Sequence, residues 1–224
     1  PSSTSYMSLD FKARKFTHDF ADDQMVRHLH WLGSFKESGL RTILAPEIAT
    51  SGNGIDQELI QQWRQECPQL DGLNALSHLY LRTYLMDQVL VKVDRASMRY
   101  ALEVRAPFLS HDIVEFLLAL PPDMKYHNGN GKYLLRTLMH GRLPDEILNR
   151  HKQGFAAPVG GWMRNELRSL VTDVLSEKNV QKSGLFRTNE VSRLMKEHLT
   201  GTRNHSKKLW TLLVFQMWYD RWMV

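Results

Sequence analysis

From Leu73 to Leu102 the chain runs without a glycine or a proline, and its apolar residues recur at helical spacing. Leu79, Leu81, Tyr84, Leu85 and Met86 fall in the first half of this run; Val89, Leu90, Val93, Met98 and Leu102 fall in the second. A stretch of this length with no breaker commits the chain to a long helix, since a strand would need strict alternation and a short element would need a stop. Apolar residues occur on several faces of it, so at least part of the helix is expected to be buried. The same pattern predicts helices over 6–16, 25–35, 37–44, 55–67, 113–120, 132–140, 144–148, 161–175, 189–199 and 206–222, punctuated by Pro46, Pro68 and Pro121-Pro122 and by a polar loop over 49–54. Hardly any segment alternates as a half-buried strand does, so the expected class is mainly α. Trp210, Phe215, Trp218 and Trp222 are expected to be core residues of the closing helix.

The 224 residues suffice for one large domain or two small ones with a sizeable core. Hydrophobic residues make up 42% and charged residues 24%, the balance of a globular chain rather than a disordered one. The net charge is +5, yet the densest basic group, Arg203-Asn204-His205-Ser206-Lys207-Lys208, holds only three cations. A nucleic-acid partner would call for a clustered basic face with stacking aromatics, so none is expected; a few cations converging on ATP or pyrophosphate account for the balance as well. Cys67 is the only cysteine, which excludes an intrachain disulfide and a thiolate metal site, and it is expected to be a plain buried residue in a reducing, cytoplasmic compartment. No apolar stretch approaches a membrane span. Pro1 to Ser5 do not read as a signal peptide, and with no methionine before Met7 the chain is expected to be a piece of a longer polypeptide.

Several places carry the residue types that chemistry needs. Arg150-His151-Lys152-Gln153-Gly154-Phe155-Ala156-Ala157-Pro158 puts a lysine among Gly and Pro, beside an arginine and a histidine, in a loop between two helical stretches. A loop lysine is a mobile point charge with three donors, suited to a phosphate whose charge develops during reaction, although a solvated surface loop would have the same look. Asp94-Arg95 lies inside the long helix, and Val91, Arg95, Met98 and Leu102 are spaced i, i+4, i+7, i+11, which sets Arg95 on an apolar stripe. A buried guanidinium there would need a carboxylate or an anionic ligand, and a structural salt bridge explains it at least as well. Pro107 biases Ala106 toward extended backbone, so Glu103 and Arg105 point the same way and are expected to form a buried structural network. Asn128-Gly129-Asn130-Gly131-Lys132 is read as a turn feeding a helix N-terminus rather than a phosphate loop. Lys132 and Arg136, at i, i+4, either meet an anion together or are solvated. His28 and His30 do not share a helix face, Glu197-His198 has no nearby ligand partner in sequence, and no metal site is expected.

Taken together these segments resemble the glutamine-dependent asparagine synthetase family. Its pattern D-R-x-S-M-x-x-x-L-E-x-R-x-P-F-L-D is matched by Asp94-Arg95-Ala96-Ser97-Met98 and Leu102-Glu103-Val104-Arg105-Ala106-Pro107-Phe108-Leu109-Ser110. The elements G-K-x-x-L-R, L-P-x-x-I and R-P-K-x-G-F-x-x-P follow in order at Gly131 to Arg136, Leu143 to Ile147 and Arg150 to Pro158. Ser110 stands where the family usually has Asp, and His151 where Pro is usual.

The resemblance implies that residues 1–224 are the helical C-terminal part of an α/β adenine-nucleotide (PP-loop) synthetase domain. The parallel sheet of that domain, its S-G-G-x-D-S pyrophosphate loop and the glutaminase domain do not occur in this sequence. It implies an enzyme that adenylates the aspartate side chain with ATP and Mg2+ and then transfers glutamine-derived ammonia to it, a fragment of which is expected to be inactive alone. Lys152 would be the catalytic lysine; Asp94, Arg95, Glu103, Arg105, Lys132 and Gly154 would line the pocket or the phosphates. The implied partners are aspartate and ammonia as substrates and the N-terminal remainder of the same polypeptide, with a homodimer left open. The alternatives are amidation of another carboxylate by the same mechanism, and a helical binding module without chemistry.

Overall fold

Helices stop and start in this chain where proline and glycine allow it. The computed structural model describes residues 24–49, 55–66, 69–70, 72–150 and 157–223. In chain order the helices are α1 Gln24–Leu32, α2 Glu37–Ile43, α3 Pro46–Ala49, α4 Ile55–Glu66, α5 Gly72–Tyr80, α6 Val91–Met98, α7 His111–Ala119 and α8 Pro122–Lys125. A two-stranded hairpin, β1 Tyr126–His127 and β2 Asn130–Gly131, comes next. The chain continues with α9 Tyr133–Met139, α10 Asp145–Asn149, α11 Val159–Arg164, α12 Arg168–Val174, α13 Glu177–Ser183, α14 Thr188–Leu199 and α15 Ser206–Trp222. The mainly helical expectation holds. The helix expected over 6–16, the loop residues 50–54 and Cys67 lie outside the described residues.

Contacts divide the chain into two units, residues 1–60 with 155–224 and residues 61–154. The first holds the main apolar core: Ile43, Met163, Val171, Leu175, Val180, Val191, Leu194, Leu209, Leu212 and Leu213. The sequence sets this core through helical stripes. On α14, Val191, Leu194 and His198 recur at i, i+3, i+7 and face inward, while Glu190, Arg193 and Glu197 repeat the same spacing on the outer side and pair with one another. On α15, Leu209, Leu212, Leu213 and Gln216 form the buried stripe. The tryptophans of α15 were expected in the core and are not: Trp210, Trp218 and Trp222 are exposed. One helix presents one inward stripe, and the leucines at i, i+3, i+4 occupy it, so the aromatic residues fall on the other sides. Phe215 is half-buried, edge-on to Phe186 at 5.3 Å.

Backbone pairing fastens the ends of this unit. Leu44 and Phe186 make an antiparallel bridge, with Ala45 N–H donating to Leu185 O at 2.9 Å and Arg187 N–H to Ile43 O at 2.8 Å. Lys207 donates its ammonium to the carbonyls of Trp31 and Leu32 at 3.0 and 2.8 Å, a cation placed on the unsatisfied C-terminal carbonyls of α1. The helix expected over 161–175 is two helices, α11 and α12, broken at Asn165, where Leu167 N–H turns back to Trp162 O at 2.7 Å.

In the second unit, Trp63, Ala75 and Leu79 are buried, and between Tyr80 and Arg150 no residue is. The single helix expected over 73–102 is α5, then ten residues of wider i→i+5 bonding over Leu81–Leu90, then α6. Thr83, near the start of that stretch, donates Oγ1 to Leu79 O at 2.7 Å, the kind of back-bond that bends helices. Lys125 ties three helices together, its ammonium reaching Asn74 Oδ1 on α5 at 2.5 Å and Leu118 O on α7 at 3.3 Å. Burial pulls its pKa below the ordinary lysine value.

Candidate functional site

The segment Asp94 to Ser110 is shaped by how α6 ends. Ala101 sits in left-handed backbone at φ 53°, with Ala101 N–H bonded to Met98 O at 3.0 Å and Leu102 N–H to Ser97 O at 3.1 Å. This is the paired closure that usually has glycine at the left-handed position; an alanine there costs roughly 1–2 kcal/mol. The chain leaves in extended backbone, Ala106 at φ −102° and ψ 102°, as a residue before proline should. Pro107–Leu109 make one 3-10 turn, and Ser110 takes the N-cap position of α7 without its hydroxyl bonding the helix.

Glu103 and Arg105, two residues apart, form an ion pair, as expected for side chains on one side of the chain. The expected burial does not hold: Glu103 is 69% and Arg105 88% exposed at the side chain, so the pair is solvated. Asp94 and Arg95 are exposed on α6, and among the described residues the Arg95 guanidinium has no ion-pair partner. The apolar stripe that carries Arg95 exists as spaced, but Val91, Met98 and Leu102 on it are exposed too. Tyr100, Val104, Phe108 and Phe116 extend the exposed apolar residues past the end of the helix.

Lys132 follows the hairpin. His127-Asn128-Gly129-Asn130 is a two-residue turn with positive φ at both central residues, 48° at Asn128 and 81° at Gly129, which is what Asn-Gly favours between antiparallel strands. The turn was expected and the strands were not. Lys132 is itself left-handed, φ 57°, and caps the start of α9 with an exposed side chain. Arg136, one turn on, is engaged elsewhere: its Nη1 donates to Leu148 O on α10 at 2.5 Å. One donor of Arg136 is thus committed to α10, whereas the Lys132 side chain is exposed. Lys152 and Gly154 lie outside the described residues. Among the described residues no group of three or more His, Cys, Asp or Glu could hold a metal ion, and no helix is long and apolar enough to cross a membrane.

One polar cluster escaped the sequence reading. His198 on α14 is fully buried, with Nε2 at 3.2 Å from Gly160 O and Nδ1 receiving the backbone N–H of His205 at 3.2 Å. His205 Nε2 lies 2.5 Å from Glu197 Oε2, and Arg193 holds the other oxygen at 2.8 Å. Hydrogen bonds from His205 first and Arg193 second hold the Glu197 carboxyl below its ordinary pKa. Burial first, and the Arg164 charge second, push the His198 pKa down. The signal in sequence was a histidine on the inward stripe of α14; its partner Gly160 is too far away in the chain to be read.

The asparagine synthase family model matches residues 5–220. A glutamine-hydrolysing asparagine synthetase of Bacillus subtilis is 29% identical over 164 residues, which are 73% of this chain and 26% of that protein. A second from the same organism is 38% identical over 138 residues, 52% of this chain and 22% of that protein. That of Bos taurus is 38% identical over 127 residues, with the same two shares. The chain thus spans about a quarter of the length of the curated relatives it matches. No solved structure matches it.

Proposed function

The chain belongs to the asparagine synthase family, and on that premise we propose that it forms the helical C-terminal part of a synthetase domain that makes asparagine. In this reading the aspartate side-chain carboxylate attacks the α-phosphorus of ATP, pyrophosphate leaves, and ammonia released from glutamine displaces AMP from the acyl carbon. Lys152 carries the chemistry assigned to this segment. Its ammonium meets the negative charge that gathers on the phosphates as pyrophosphate departs, in a segment where Gly154 follows two residues later. Asp94, Arg95, Glu103, Arg105 and Lys132 shape the pocket wall. The described residues supply no cluster fit for magnesium, so no step is assigned to the metal through them; in the proposal it accompanies ATP and is held by the rest of the polypeptide.

The observation that carries this reading is the family match across residues 5–220, which takes in all four ordered motifs and Lys152. A second observation supports the assignment of part of the site to the N-terminal remainder. The segment bearing four of the six residues implied to line the pocket or phosphates, Asp94 to Arg105, is exposed together with the apolar Met98, Tyr100, Leu102 and Val104, a surface that water does not favour and that a packed neighbour would cover. Lys152→Ala in the full-length protein tests the proposal. Aspartate-dependent ATP–pyrophosphate exchange is expected to be lost while glutamine hydrolysis persists, and normal exchange in that variant would overturn the role of Lys152.

A further inference from the structure

Three elements meet at the His198 imidazole. Its Nδ1 accepts the N–H of His205, at the entry to α15, and so carries no proton of its own; the proton sits on Nε2 and is donated to Gly160 O in the first turn of α11. Both partners are backbone groups and the ring is fully buried, so one neutral tautomer alone satisfies the site. Gly160 is part of the fit. A Cβ there would lie 3.1 Å from Ser206 Cβ and 3.6 Å from His198 Cε1, so the first turn of α11 sits directly against the ring and the start of α15.

We infer that His198 is a positioning residue, a neutral latch that fixes the first turn of α11 against α14 and α15 and that opens on acidification. A proton added at Nδ1 would remove the acceptor for the His205 N–H and leave a cation in a site built from a carbonyl and an amide. The charged groups acting on the ring are the Arg164 guanidinium on α11 and His205, and both oppose charging it. The carboxylate of Glu197, adjacent in sequence, is spent on His205 and Arg193. The sign follows. A buried histidine with a lowered folded pKa leaves the unfolded chain binding more protons just below the ordinary value of about 6.5, so its latch is intact above that pH and the fold loses stability as pH falls through it. Lys152 precedes the start of α11 by seven residues in the chain, and the bearing of the latch on catalysis rests on the function proposed above.

The test begins on the 224-residue chain without substitution, by nitrogen-resolved NMR of the histidine rings. At pH 7.5 the Nε2–H tautomer is expected. On acidification the midpoint should fall below the ordinary imidazole value of about 6.5, with the His205 amide shifting at the same midpoint. A dominant Nδ1–H tautomer, a midpoint at or above about 6.5, or a His205 amide that does not follow would overturn the latch. His198→Gln supplies a second arm, since its amide keeps one donor and one acceptor but does not titrate. Thermal unfolding of this variant should fall less between pH 8 and pH 5 than that of the unsubstituted chain, and an equal fall would refute the inference. In the full-length protein, His198→Gln should flatten the acid limb of pyrophosphate exchange, whereas Lys152→Ala abolishes exchange at every pH. An unaltered acid limb would sink the positioning role while leaving the assignment of Lys152 standing.

Discussion

Leu213→Ala and Trp218→Ala, taken as a pair, probe which face of α15 builds the fold. Leu213 is 1% exposed and belongs to the main core cluster, whereas Trp218 is 48% exposed and touches Phe215 with ring centroids 5.8 Å apart. Truncating the leucine removes three buried carbon groups, a transfer loss of about 2.4 kcal/mol at ~0.8 kcal/mol each. The residual cavity adds to that, and the total falls at roughly 3 kcal/mol, within the usual 2–5 kcal/mol range. Tryptophan is the larger side chain, and from size alone its loss would cost roughly 3–5 kcal/mol if it were buried. With about half its surface already in water, the expected cost is about 1.5 kcal/mol. Urea denaturation followed by circular dichroism at 222 nm reads both without relying on tryptophan fluorescence. The midpoint for Leu213→Ala should fall by about twice that for Trp218→Ala at unchanged slope. A larger loss for Trp218→Ala would refute the assignment of the leucine stripe to the core.

Two further outcomes follow from the segment after α6. Ala101→Gly relieves the left-handed strain at φ 53° and should stabilise the chain by about 1 kcal/mol, read as a raised urea midpoint; a lowered midpoint would show that the turn is not strained. Glu103→Gln breaks an exposed ion pair and should change stability by less than about 0.5 kcal/mol in the same assay, where a loss of ~3 kcal/mol would mean that the pair is buried.

The helical spans were legible because periodicity and breakers act locally. The reading over 206–222 coincides with α15, and that over 189–199 differs from α14 by one residue. What periodicity does not carry is what lies opposite a stripe. Val91, Arg95, Met98 and Leu102 are spaced as expected and are nonetheless exposed, because burial depends on a neighbour and not on the helix itself. The same gap misplaced the tryptophans of α15: two apolar faces compete for one core, and sequence spacing does not rank them. Helix α13 was missed because Glu177-Lys178-Asn179-Val180-Gln181-Lys182-Ser183 offers one apolar residue to a pattern that needs several. The hairpin at Asn128-Gly129 was within reach, since that dipeptide is among the strongest short-range turn signals. Of the candidate site, the direction of Glu103 and Arg105 followed from Pro107, whereas the exposure of that pair and the engagement of Arg136 by Leu148 O did not.

Aspartate-dependent exchange of labelled pyrophosphate into ATP by the full-length protein tests the central claim most directly. The account predicts exchange that requires aspartate and proceeds without glutamine, because adenylation precedes the arrival of ammonia. Exchange that ignores aspartate, or that only another carboxylic acid supports, would contradict it.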